Sequence, residues 1–285
     1  MDFLNKFDKQ QVQKITLIVI AALTILALVL LLVIVIASVN PANSFGMADG
    51  FTNVVDYTVT EKDLQTGSLI LADDDHSYNY TFSADELEVI GAYRNNNLVT
   101  DESGKAIGKY YMNNQSLMKL TKEAMVAAHN MLVDAEKAVN KDDLLIAFTY
   151  GYNEADNKEY DTALLIFLTD YNGEKLDKSY SKWFDENAAK YGFIESFEDG
   201  YRYVGVAHAK SISGSKDIKT VANYVKYLKE NTSVNKTIEI EVDGSTYKTY
   251  YVACAAGETI KVPADKEYTI SGTNEGGVIV TVKTK

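Results

Sequence analysis

SYSKWFDENAAKYGFIESFEDGYRYVGVAHAKSI, residues 179–212, carries more fold information than any other part of the chain. Trp183, Phe184, Ala188 and Tyr191 recur at helical spacing, and Gly192 supplies a left-handed stop. A short strand over Phe193–Phe197 follows, then a turn at Glu198-Asp199-Gly200, then a second strand over Tyr201–Gly205. Asp-Gly between two aromatic-rich runs predicts a hairpin, because both turn residues must tolerate positive φ. Helix, strand, turn and strand together make one compact unit.

On the N-terminal side, Asp143–Tyr150 (DLLIAFTY) and Thr162–Thr169 (TALLIFLT) are continuous apolar runs, as buried central strands require. A helix is predicted over Asn114–Val139, with Leu117, Leu120, Ala124, Ala128, Met131, Ala135 and Ala138 on one face and Asn114 as its N-cap. His129 falls inside it as a core-edge or surface residue, since no second ligand lies one helical turn away. Further back, Thr66-Gly67 predicts a turn, Ser68–Ala72 a strand, and Asp73–Asp75 a solvated acidic loop before His76. That loop lacks the alternating ligands and the glycine of a calcium-binding EF-hand.

On the C-terminal side, Ile218–Leu228 is amphipathic at helical period. Beyond Asn231 the pattern changes to short strands: Thr237–Val242, Tyr247–Ala253, Thr259–Val262, Tyr268–Ile270 and Val278–Val282. Asp243-Gly244, Pro263-Ala264-Asp265 and Glu275-Gly276-Gly277 punctuate them. The single cysteine, Cys254, excludes a disulfide framework, and its place in the apolar run Tyr251–Ala255 predicts a buried structural thiol.

Ile15 to Val39 is uncharged and almost wholly aliphatic, longer than the ~20 residues that span a bilayer and longer than the core of a cleaved signal peptide. Lys6, Lys9 and Lys14 precede it, while Asp49 and Asp56 follow, so the N-terminus is expected in the cytoplasm and the remainder outside. The expected organisation is a cytoplasmic N-terminus (1–14), a transmembrane anchor (15–39), a linker (40–60), a main domain (61–232) and a C-terminal β module (233–285). A net charge of −12 argues against nucleic acid as a partner and against flat adhesion to anionic lipid.

The run KWFDENAAKYGFI followed by YRYVGVAHAKSI resembles the C-terminal part of the catalytic domain of VanY-type D-alanyl-D-alanine carboxypeptidases, zinc peptidases of the LAS type that trim cell-wall peptides. The GSLIL run at Gly67–Leu71, with His76 and Tyr78 after it, is similar to an early segment of the same family. The YTISGTN run at Tyr268–Asn274 is similar to the tail of clostridial-type members. The resemblance covers about Glu61 to Lys285 and implies an α+β fold. An antiparallel-sheet LAS peptidase-like domain would carry a small all-β C-terminal module, with one transmembrane helix in front.

The resemblance also marks where chemistry is expected. The family opens its second hairpin strand with Glu-x-Trp-His, in which the Glu is the general base and the His a zinc ligand. Here the Trp position is Asp199 and the His position Gly200. The family's other zinc ligands come from Ser-x-His-x-x-Gly-x-Ala-x-Asp. Here the pattern runs from Lys158 to Phe167, with Tyr160 at the His position and Phe167 at the Asp position. Its substrate-carboxylate Arg, in Ser-Gly-Tyr-Arg-Ser, is replaced by Asn153 within Tyr150-Gly151-Tyr152-Asn153-Glu154.

Asn153, Tyr160, Phe167 and Gly200 are therefore expected to be vestigial cleft positions, with no catalytic residue, no metal ligand and no cofactor. Tyr150, Tyr152 and Tyr160 would make the cleft aromatic, and His208 is expected to cap or pack. Glu195, Glu198 and Asp199 remain near the expected centre. The reading is a membrane-anchored pseudopeptidase that binds a peptidoglycan stem peptide or an envelope protein. The alternative is an active zinc D,D-carboxypeptidase in peptidoglycan maturation, with a metal site built in another way.

Overall fold

The computed structural model describes residues 51, 53–89, 98–100, 106–112, 119–139, 144–146, 162–170 and 175–285. The apolar run 15–39, Asn153 and Tyr160 lie outside them. Among the described residues no helix is long and apolar enough to cross a membrane.

In chain order the elements are β1 (Val54–Thr58), α1 (Glu61–Gln65), β2 (Leu87–Val89), β3 (Leu98–Thr100), β4 (Ala106–Met112), β5 (Lys119–Thr121) and α2 (Lys122–Val139). Next come β6 (Leu144–Ile146), β7 (Leu165–Phe167), β8 (Thr169–Asp170), α3 (Lys178–Asn187), β9 (Phe193–Phe197), β10 (Gly200–Tyr203), α4 (Val206–Gly214) and α5 (Val221–Asn231). The chain ends in β11 (Ile238–Val242), β12 (Ser245–Ala253), β13 (Thr259–Pro263), β14 (Glu267–Gly272) and β15 (Gly277–Lys283). Strand pairing is antiparallel except between β4 and β6.

The unit around residues 179–212 forms largely as its sequence predicts. Asp177 caps α3, its carboxylate accepting the Ser179 N–H at 2.8 Å, and a 3-10 turn over Ala188–Tyr191 ends at Gly192 with φ 86°. β9 and β10 then pair across a tight turn. Only Asp199 takes a positive φ (56°); Gly200 already belongs to β10, beside a bulge that shifts the register before Tyr201. The second strand stops at Tyr203, and Gly205 (φ 85°) leads into α4, a helix absent from the expected organisation. Both sides of α4 are covered: Ala209 and Ile212 pack toward α5, Ala207 toward β11, so no one-sided apolar stripe marks it.

Three further expectations are corrected. The helix over Asn114–Val139 begins only at Lys122, because Lys119–Thr121 is a strand that pairs with β2 and buries Leu120 from there. Ser68–Ala72 is not a strand, although Leu69, Ile70, Leu71 and Ala72 are all buried. Side chains serve this strap instead of a ladder. Ser271 Oγ accepts the Leu69 N–H at 2.9 Å, Arg202 donates to the Ile70 carbonyl, and Asn274 donates to the Leu71 carbonyl at 3.0 Å. Gly67 (φ 112°) permits the approach, for a Cβ there would lie 2.5 Å from Ser271 Cα. Finally, the expected linker contributes structure: β1 pairs with β13 from Val54–Pro263 to Thr58–Thr259.

All five C-terminal strands are present. Four form a sheet in the order β11-β12-β15-β14, and its two faces are used differently. Val278, Val280 and Val282 of β15 join Tyr250, Val252, Ile260 and Val262 in one core, while Ile279 joins Leu69, Val225 and Leu228 in another. A third core surrounds α2, with Met125, Met131 and Leu132 packed against Phe184, Phe193 and Tyr201. The β module is thus clamped against α5 and the strap.

Candidate functional site

The sheet β7-β10-β9 brings the expected centre together. Gly200 pairs with Phe167, and Arg202 with Leu165. The two positions at which the family resemblance expects zinc ligands therefore face each other across adjacent strands. Counting back through the Glu-x-Trp-His spacing puts Phe197 at the general-base position, a residue the sequence reading left unnamed. It too is here: a Cβ on Gly200 would lie 2.8 Å from Phe167 Cε1, 3.1 Å from Phe167 Cζ and 3.0 Å from Phe197 Cβ. The Phe167 and Phe197 ring centroids are 6.1 Å apart, and Phe197 is 41% exposed. The volume an imidazole would occupy at position 200 is filled by the Phe167 ring.

None of these three side chains offers a lone pair to a metal. Zinc in a catalytic site takes three protein donors from His, Cys, Asp or Glu and keeps an open position. Phe167, Gly200 and Phe197 do not fit that requirement. Among the described residues no group of three such side chains is placed to hold a metal ion.

Carboxylates flank the aromatic pair. Burial raises the pKa of Glu195, with the fields of Asp185, Asp199 and Glu198 adding to it. Burial likewise raises Asp199. Glu198 is held below the usual range by its ion pair with Lys175. These groups can hold or release a proton.

The three histidines lie on separate elements. His208 on α4 is buried, with Nδ1 3.2 Å from the Tyr224 hydroxyl and Nε2 3.0 Å from Thr281 Oγ1, and burial pushes its pKa down to about 3. It joins α4, α5 and β15 as a neutral packing residue. His129 on α2 is half-buried, with a pKa lowered by burial. His76 closes the acidic loop, between Asp73 and Glu275. Cys254 is buried and its thiol is pushed up to about 11 by burial, leaving it unreactive.

Two cavities lie beside the strap. One of about 300 Å³ is walled by Gly67, Ser68, Ile70, Tyr78, Thr162 and Tyr203, among others. The other, about 270 Å³, is bounded by Leu71, Asp73, Glu195, Arg202 and the start of α5 at Thr220. The strap supplies a wall to each. Its fixing by Ser271, Asn274 and Arg202 spans over 130 residues of sequence, and no local pattern could have disclosed it.

The arrangement is an α+β domain in which Phe167, Gly200 and Phe197 occupy the positions where the resemblance expects metal ligands and a general base. No family model matches the chain. Its sequence is 39% identical over 114 residues to a D-alanyl-D-alanine carboxypeptidase from Enterococcus faecium; the match covers 35% of this chain and 36% of that protein. The chain thus spans about a third of the length of that relative. In fold it is similar to the vancomycin-resistance D,D-dipeptidase VanXYg, solved with a D-Ala-D-Ala phosphinate analogue. The TM-score is 0.56, with 16% identity, 81% of this chain and 99% of that chain covered. VanYB in complex with D-alanine-D-alanine gives a TM-score of 0.38, with 14% identity over 56% of this chain and 97% of that one. The fold is similar to that of the D,D-dipeptidase VanXYg, and part of the sequence is related to a D-Ala-D-Ala carboxypeptidase.

Proposed function

We propose that this chain is a pseudopeptidase. Its D,D-peptidase-like domain would be held outside the cytoplasm by the 15–39 anchor and would bind a cell-wall stem peptide or a partner protein without hydrolysing it. The observation that carries the reading is the pairing of Phe167 with Gly200 under the Phe197 side chain. Strand register has kept the expected ligand positions together, while their chemistry is that of a packed aromatic contact. Tyr160 and Asn153, at the third ligand and the carboxylate-binding positions, are substituted in the same sense. An aromatic surface suits binding through stacking and apolar contact, and needs no metal.

The test uses the full chain purified in detergent. Zinc content and release of D-Ala from a peptide ending in D-Ala-D-Ala are measured on one sample, and binding of the same peptide by titration. No stoichiometric zinc and no release are expected. Stoichiometric zinc with release abolished by a chelator would establish the active zinc carboxypeptidase that the Enterococcus relative suggests.

A further inference from the structure

His76 is gripped from both sides. Its Nδ1 lies 2.6 Å from Asp73 Oδ1, on its own loop, and its Nε2 lies 3.2 Å from Glu275 Oε1, on the turn between β14 and β15. Asp73 Oδ1 also accepts the backbone N–H groups of Asp75 and His76, at 3.0 and 2.9 Å, which fixes that carboxylate. Lys229 of α5 donates to Glu275 Oε2 at 3.1 Å and fixes the other. The charged groups around the imidazole are thus Asp73 from the loop, Glu275 from the turn and Lys229 behind Glu275 on α5. Asp74 and Asp75 are exposed on the loop itself.

A neutral imidazole carries one N–H and one lone pair, so it can donate to one carboxylate only, and turns its lone pair toward the other. The imidazolium donates to both. The bridge from loop to turn is therefore complete only when His76 is protonated.

We infer that His76 is a proton-dependent clamp that fastens the β14–β15 turn of the C-terminal module to the Gly67–Tyr78 strap, and so sets the walls of both cavities. Burial works against the charge on His76, but its hydrogen bonds to Asp73 and Glu275 outweigh it and raise the pKa above the ordinary value. Asp73 and Glu275 are correspondingly lowered by their bonds to His76 and, for Glu275, to Lys229. A raised histidine pKa fixes the sign. The clamp is fully closed below the ordinary histidine range, about 6.5, and opens as pH rises through the raised value. Asn274, which donates to the Leu71 and Ser77 carbonyls at 3.0 and 2.7 Å, does not titrate. The strap therefore loosens at alkaline pH without detaching. This inference holds whether or not the Phe167 centre has any activity.

The test again uses the full chain in detergent, with 15N-labelled histidine. The sequence has three histidines, so the ring signals are few, and His208 stays neutral across the working range. One histidine is expected to titrate above the ordinary value with both ring N–H groups protected on the acid side. Glu275→Gln should bring that midpoint down, and His76→Gln should remove the signal. Hydrogen exchange of the 67–78 segment, compared between the native chain and His76→Gln at equal pH, reads the consequence. At pH ~5.5 the native strap should exchange more slowly, by about tenfold for each unit by which the clamped pKa exceeds that of the open loop; the two should converge by pH ~9. A ratio that does not change with pH, or a His76 midpoint at or below the ordinary value, overturns the clamp.

Discussion

Gly200→Ala is the smallest change that interrogates the centre of the site. Gly200 lies in β10 and is not among the glycines with positive φ, so alanine meets no backbone strain there. The smaller unfolded-state entropy of alanine would on its own stabilise by about 0.4–1 kcal/mol. The new Cβ, however, would sit 2.8 Å from Phe167 Cε1 and 3.0 Å from Phe197 Cβ. Comfortable carbon–carbon contact needs about 3.5–4.0 Å. The Phe167 ring can tilt, but Phe197 Cβ is fixed to the backbone of β9, so the strands themselves must part. Overpacking of this kind costs about 1–3 kcal/mol, and the net effect should be a loss of about 1–2 kcal/mol.

Urea unfolding followed by the single tryptophan, Trp183, reads this directly, because Trp183 packs against Phe184 and Tyr191 in the same unit. The control is Phe167→Ala, which removes the ring. In that background Gly200→Ala should cost at least about 1 kcal/mol less, a coupling expected only for groups in contact. If Gly200→Ala is neutral or stabilising in both backgrounds, no ring covers Gly200. The filled centre, and with it the pseudopeptidase reading, then fails.

Four other outcomes follow from the described contacts. His208→Ala takes one hydrogen-bond partner from Tyr224 and one from Thr281, which keeps Thr249 at 3.2 Å, and opens a cavity, for a loss of about 2–4 kcal/mol in urea unfolding. Since burial holds the folded-state pKa near 3, below the unfolded value, the unfolded chain takes up the proton first as pH falls. Stability should be full above pH ~6.5 and fall toward pH ~3 by up to about 1.4 kcal/mol per unit, and His208→Asn should flatten that slope. Ser271→Ala orphans the buried Leu69 N–H and should cost about 1–3 kcal/mol by the same urea assay. Cys254 should be silent to a thiol reagent at neutral pH in the folded chain and react fully in concentrated urea, because it is buried with its pKa pushed up to about 11.

What the sequence discloses depends on the range over which each structure is specified. β11 to β15 were legible because alternation and turn residues act within a few positions, and Asp243-Gly244, both at positive φ, closes its hairpin as a two-residue turn should. The Ser68–Ala72 strap misled because a buried apolar run of strand length is expected to pair with a strand. Its partners are instead the side chains of Arg202, Ser271 and Asn274, which no local pattern names. The start of α2 was misplaced for a related reason: Leu120 continues the helical stripe in sequence while being buried from a strand. At the site, the substitutions at Phe167 and Gly200 could be read by spacing, but their direct pairing came only with the register of β7 on β10.

If the chain is the pseudopeptidase proposed, that register accounts for a fold retained without the chemistry. Leu165, Ile166, Tyr201 and Arg202 are buried where β7 lies against β10, and Arg202 is also held by its hydrogen bond to the Ile70 carbonyl. Phe167 and Gly200 lie at the end of this ladder, beside the exposed Phe197, where the fold asks only that the side chains be compatible with their neighbours. The residues whose packing holds the two strands and the side chains at the expected centre are therefore different sets of positions in the same two strands. A backbone likeness such as the TM-score of 0.56 to a D,D-dipeptidase reports on the first set alone. The chemistry has to be judged at side chains, and those of Phe167, Phe197 and Gly200 offer no donor to a metal.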